Sequence, residues 1–166
     1  FQGEKDDYTT LRVKILEALG RDGDARDALW QEFRRGLNTT ALDRLLALTP
    51  GKKHPELIKD AMAVAEGHAD RLSAAMFLVE QGQVGRAAKL VDVHTDKFDG
   101  RCYHTQLKLA ESLQGEFPAS AWVLYRALLL DILEEKRSKA YHHAADYLAV
   151  ADELATRADL RDRQQE

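Results

Sequence analysis

Apolar residues recur at three- and four-residue intervals from one end of the chain to the other, and no stretch alternates apolar with polar. That periodicity predicts helices and no strands. The pattern is densest from Pro118 to Leu133, PASAWVLYRALLLDIL, where only Ser120, Arg126 and Asp131 after the opening proline are not apolar. A helix that is apolar almost all round is buried on several sides. This segment is therefore expected to be a central helix, running on to about Lys136 over ~28 Å, with the rest of the chain packed around it.

Eight further helices follow from the same reading. The first runs from about Thr9 to Leu19 with Leu11, Ile15, Ala18 and Leu19 as its apolar stripe, and the turn after Gly20 offers Asp24 as the next N-cap. A second carries Ala28, Leu29 and Phe33 inward with Trp30 beside them and ends at Gly36. Asn38 or Thr39 caps a third, with Leu42, Leu45, Leu46 and Leu48, which stops before Pro50. Pro55 opens a fourth at a first helical position, where its missing N–H costs nothing; Leu57, Ile58, Ala61, Met62 and Ala65 form its stripe, and Gly67-His68 breaks it. The fifth carries Leu72, Ala75, Met76 and Val79, and the sixth Val84, Ala87, Ala88, Leu90 and Val91. A turn from Thr95 to Arg101 leads to a seventh with Tyr103, Leu107, Ala110 and Leu113 inward. After the central helix, Ser138 caps a ninth that reaches about Arg157 and has two apolar faces, one with Tyr141, Ala144 and Leu148 and one with His143, Tyr147 and Leu154.

Two contact faces suit a helix stacked between neighbours in an array. Ala75, Leu78, Gly82, Ala87 and Val91 also have the spacing of the small, large, glycine, small and large positions of a tetratricopeptide-like hairpin, without that motif's tryptophan and terminal proline. The expected fold is all-α: about nine helices in a hairpin array, a right-handed superhelix, with an irregular helical bundle as the alternative.

Composition narrows the class. At 166 residues and 45% apolar, the chain is long enough for one domain with a real core. The expected domain spans residues 4–157, followed by a fraying charged tail at 158–166. A net charge of -4 argues against general affinity for nucleic acid. The single cysteine, Cys102, excludes an internal disulfide and suits a reducing, cytoplasmic setting. The apolar run after Ala121 is too short for a bilayer and carries two charges, so no membrane span is expected, nor a signal peptide. Phe1-Gln2-Gly3 looks like the remnant of a cleavable purification tag, which makes Glu4 a candidate internal cut in a longer protein.

Candidate chemistry is sparse. His94, Cys102 and His104 are zinc-ligand types near one loop, but one cysteine and scattered histidines fall short of a four-ligand set. Asp96, Asp99 and Gly100 share part of a calcium loop and lack its closing glutamate; the glycine reads better as a turn residue. His142 and Asp146 are one turn apart on the polar face of the ninth helix and read as a weak surface pair. Lys136, Arg137 and Lys139 lie at a helix C-terminus, where cations complement the dipole, and Glu134 and Glu135 dilute the patch. No nucleophile–base motif or phosphate loop occurs, so no catalytic, cofactor or metal residue is assigned and the protein is not expected to be an enzyme. The residues singled out are structural or interaction candidates: Arg126, Asp131, Tyr141, His143 and Tyr147. Arg126 and Asp131 point about 140° apart on their helix. Each is expected to be buried and paired with a group on another helix.

GQVGRAAKLV, FDGRCYHTQLKLAESL and FPASAWVLYRALLLDILEEKRSKAYHHAADYL together resemble the C-terminal half of a bacterial all-helical family of unknown function, over about Leu29 to Leu154. Its members are similar to proteins that carry a SWIM-type zinc finger. The resemblance implies helical hairpins in a superhelix and brings no catalytic residues. The CxC and CxH cysteines of the SWIM class are absent.

The reading is a non-catalytic helical scaffold that binds a protein or peptide along a groove, with no cofactor. Its alternative is an accessory domain of a SWIM-type nucleic-acid-binding protein, although nucleic acid is not expected to bind this segment itself. One face of the first helix is expected to be an exposed apolar patch, because Tyr8, Leu11, Ile15 and Leu19 lie on one side while Val13 and Leu16 lie away from them. A cut at Glu4 would leave that patch uncovered, to be filled by Phe1 or by a second copy in an artificial homodimer.

Overall fold

A computed structural model describes residues 2–135 and 141–158, with side chains from Tyr8 onward. Helical periodicity becomes nine α-helices among these residues, and no strand. They are α1 (Gln2–Ala18), α2 (Asp22–Gly36), α3 (Thr39–Ala47), α4 (His54–Gly67), α5 (Arg71–Glu80), α6 (Val84–Val93), α7 (Tyr103–Leu113), α8 (Pro118–Glu134) and α9 (Tyr141–Arg157). Short 3₁₀ turns at Gly51–Lys53 and Thr95–Lys97 precede α4 and follow α6. The protein is all-α. The chain divides into two compact units, one ending at His68 and the other beginning at Ala69.

In the first unit α2 packs against α1 and α3. Leu29 and Phe33 are buried, and the half-buried Trp30 stacks on Phe33 with ring centroids 5.4 Å apart. The cap of α2 is Arg21, and Asp24 instead sits in the first turn, where it accepts from Arg21 Nε at 2.6 Å. Asn38 caps α3 by accepting the Ala41 N–H at 3.2 Å, which leaves one fewer orphan donor at that helix start. Pro55 stands in the first turn of α4, as its missing donor allows.

The first helix starts earlier than expected, and the apolar patch expected on it is exposed. Val13 (0% exposed) and Leu16 (8%) are its packed residues, while Leu11, Ile15 and Leu19 are 51–65% exposed and Ala18 is exposed too. The stripe with more apolar residues is the outer one.

In the second unit α8 is the helix against which α6, α7 and α9 pack, and α5 packs on α6 and α7. Ala75, Leu78, Ala87 and Val91 are all fully buried, and Gly82 takes φ +70° in the turn between α5 and α6, a conformation that favours glycine. Asp70 caps α5, accepting from the Ser73 N–H at 3.0 Å and the Ser73 hydroxyl at 2.7 Å. Along α8, Leu124, Leu128 and Ile132 are buried. The buried Ser120 donates to Asp92 Oδ1 of α6 at 2.8 Å. The two faces assigned to α9 merge into one: Ala144, Tyr147, Ala151, Leu154 and Ala155 are buried, whereas Tyr141 and Leu148 are nearly half exposed. The basic run at Lys136, Arg137 and Lys139, the Ser138 cap and the tail beyond Ala158 lie outside the described residues.

Candidate functional site

The segment between α6 and α7 builds a groove on α8. After the 3₁₀ turn the chain buries Phe98 and then reaches Gly100, which has φ +83°. A Cβ at Gly100 would stand 2.6 Å from the Ala127 carbonyl oxygen and 2.7 Å from Asp131 Cβ. The turn therefore lies directly on the α8 backbone, and glycine meets both the positive φ and the close approach. Gln106, 1% exposed on α7, secures it: Gln106 Oε1 accepts the Gly100 N–H at 3.1 Å and Nε2 donates to the Leu124 carbonyl at 3.1 Å. The turn glycine was legible in the sequence. Gln106 was not, because both of its partners are backbone atoms.

The groove beside this turn has a volume of about 460 Å³. Two rows of α8 line it at four-residue spacing, Trp122, Arg126, Leu130 and Glu134 in one and Val123, Ala127 and Asp131 in the next. Thr95, Asp96, Phe98 and Asp99 form the opposite wall. Its lining joins Phe98, Trp122, Val123, Ala127 and Leu130 to four carboxylates and one guanidinium. Asp96 pairs with Lys97 at 2.8 Å, and that hydrogen bond holds its carboxyl below the ordinary aspartate range. Asp99 lies 3.4 Å from Arg101. Glu134 is exposed and has no partner among the described residues.

Arg126 departs from expectation: it is exposed, and its guanidinium lies over the ring of Trp122 on the same helix, 5.7 Å from the centroid. Because Arg126 and Asp131 point to different sides, only one of them faces inward, and it is Asp131, which is 7% exposed. The Asp131 carboxylate is engaged, and no buried side-chain polar atom among the described residues lacks a hydrogen-bond partner.

The other three candidate residues lie on α9, and two of them join an aromatic cluster with Tyr103. Tyr147 is buried and donates to the Tyr103 hydroxyl at 2.7 Å. His143 is half-buried, with its ring 6.3 Å from that of Tyr103 and stacked 6.2 Å from that of Tyr147. Tyr125 of α8 lies 5.8 Å from Tyr147 and donates to Gln114 Oε1 at 3.1 Å. Burial raises the Tyr147 phenol above its ordinary range, and the hydrogen bond to Tyr103 raises it further; burial does the same for Tyr125, with Glu111 adding to it. Phenols held neutral in this way tie α7, α8 and α9 together and offer no base near neutral pH. Tyr141 stands outside the cluster at 47% exposure. His142, stacked on His143 at 3.9 Å, and Asp146 are both exposed. Among the described residues no group of three or more His, Cys, Asp or Glu is placed to hold a metal ion, and no helix is long and apolar enough to cross a membrane.

Comparison with known proteins gives a family without an activity. The model of the family of unknown function DUF6880 matches residues 2–162, nearly the whole chain, and the chain belongs to that family. No curated protein and no solved structure matches.

Proposed function

We propose that this member of the DUF6880 family is a non-catalytic helical binding module of the cytoplasm, and that the groove on α8 takes an extended segment of a partner protein. The observation that carries the reading is the groove itself: apolar lining from Phe98, Trp122, Ala127 and Leu130 beside four carboxylates, of which Glu134 has no partner among the described residues. An apolar side chain buried against that lining would supply affinity, and a neighbouring lysine or arginine reaching Glu134 would fix orientation. A phosphate backbone would meet carboxylates there, so the groove supports a peptide over a nucleic acid. Short connections between successive packed helices support an array of hairpins as the scaffold. A free, exposed Cys102 is in keeping with a reducing compartment.

Selection from a random peptide-display library tests this. The wild-type protein is expected to enrich sequences that join a large apolar residue to a lysine or arginine a few positions away. Those peptides should bind the Leu130→Arg, Glu134→Lys variant at least tenfold more weakly. Both substituted residues are exposed, so the fold should be retained, with circular dichroism as the check. Failure to enrich any peptide, or equal binding to the variant, would remove the groove as the binding site.

A further inference from the structure

The first helix packs with its lesser face and leaves the larger one open. Tyr8, Leu11 and Ile15 are 69%, 58% and 51% exposed, and Ala18 is exposed as well. They stand at intervals of three, four and three, the spacing of a coiled-coil seam, with Leu19 (65% exposed) beside its end. The stripe points roughly 150° away from Val13 and Leu16, by the 100° helical step. Scattered single apolar residues on a surface are ordinary, but a continuous seam of this kind marks an interaction site.

The charges bordering the seam indicate what covers it. Arg12 flanks it on one side and Lys14 on the other; both are exposed and neither has a partner among the described residues. The helix's described carboxylate, Glu17, is turned away from the seam and taken up by Arg44 at 3.4 Å. A second copy of the chain packed antiparallel would set these cations beside their own counterparts, Arg12 against Arg12 and Lys14 against Lys14. Like charges at coiled-coil borders oppose pairing, and opposite charges select partners.

We propose that this face of α1 docks one amphipathic helix of another protein, with an apolar seam of its own and acidic residues along its borders. The site lies in the first compact unit and does not depend on the groove reading.

Two synthetic three-heptad peptides test it, both with leucine at the seam positions, one bordered by glutamate and the other by lysine. Fluorescence anisotropy should show that the glutamate peptide binds and that the lysine peptide binds at least tenfold more weakly. Raising salt from low to about 0.5 M, where screening is strong, should weaken the glutamate peptide several-fold. Leu11→Glu with Ile15→Glu should abolish binding. Both positions are on the surface, so the far-UV spectrum and thermal midpoint should be unchanged. Arg12→Glu with Lys14→Glu should reverse the preference to the lysine peptide. The Leu130→Arg, Glu134→Lys groove variant should bind the glutamate peptide as the wild type does. Absence of binding, equal binding of both peptides, or binding that survives the Leu11 and Ile15 substitutions would overturn the proposal. Sedimentation equilibrium supplies a further check. A wild-type dimer that the Leu11 and Ile15 substitutions dissolve would overturn it too and assign the face to a second copy.

Discussion

The side chain of Gln106 holds the backbone N–H of Gly100 at 3.1 Å, so a residue one turn into α7 fixes the bend that leads into that helix. The second hydrogen bond from Gln106, to the Leu124 carbonyl, ties the same bend to α8. Replacing Gln106 with leucine keeps the volume and removes both links, leaving the buried Gly100 N–H without its partner. Denaturant melts are expected to show a loss of about 2 kcal/mol, the cost of an unsatisfied buried donor. Exchange of the Gly100 amide with solvent deuterium should accelerate in parallel. An unchanged midpoint would mean that the bend is held by Phe98 burial alone.

Gly100→Ala is the more severe change. The added methyl meets a backbone oxygen at 2.6 Å and Asp131 Cβ at 2.7 Å, and φ +83° is strained for any L side chain. Overpacking and positive φ together should cost about 3 kcal/mol in a urea melt. Gly115, where an added Cβ would meet nothing within 4 Å and no positive φ applies, serves as the control: Gly115→Ala should be tolerated.

Arg126→Met should be nearly silent for stability. Arg126 is exposed, and its contact with the Trp122 ring at 5.7 Å is worth about 0.5–1 kcal/mol at such a site. Asp131→Leu, by contrast, should cost more, because it removes an engaged carboxylate at 7% exposure and places a branched side chain beside Gly100. Parallel melts of the two variants check the order; an equal loss for both would contradict it.

Alkaline pH should destabilise the fold in a defined window. An unfolded tyrosine ionises near pH 10, and in the folded chain Tyr147 and Tyr125 ionise above that value. The unfolded state thus releases these protons first. Their contribution is fully present below pH 10 and is lost as pH climbs toward the raised folded values. Tyr147→Phe should lower stability near neutrality by about 1 kcal/mol, through loss of the hydroxyl pair. It should also make the alkaline decline shallower. A decline as steep as that of the wild type would place its origin in other groups.

Helix number, the N-cap at Asn38 and the turn at Gly82 follow from local rules, and the sequence carries them openly. The first helix has two apolar faces, and the one with Tyr8, Leu11, Ile15 and Leu19 is the exposed patch that the sequence suggests. The packing of Val13 and Leu16 is decided in the contact with α2, which no window of α1 contains. Arg126 and Asp131 were correctly separated by helical angle. Which of them turned inward depended on the Thr95–Gly100 segment crossing α8, a relation between residues about 30 positions apart along the chain. The groove is the product of that same crossing, so its walls were visible as residues and its existence was not.

The guanidinium over Trp122 has an optical consequence. The chain holds two indoles, Trp30 stacked on Phe33 in the first unit and Trp122 under Arg126 in the groove of the second. With Trp30→Phe, emission would come from Trp122 alone, and a cation resting against an indole ring shifts its emission. A ligand that lifts Arg126 from the ring would be seen as a colour change without any label, and Arg126→Met would supply the spectrum of the uncovered indole for comparison.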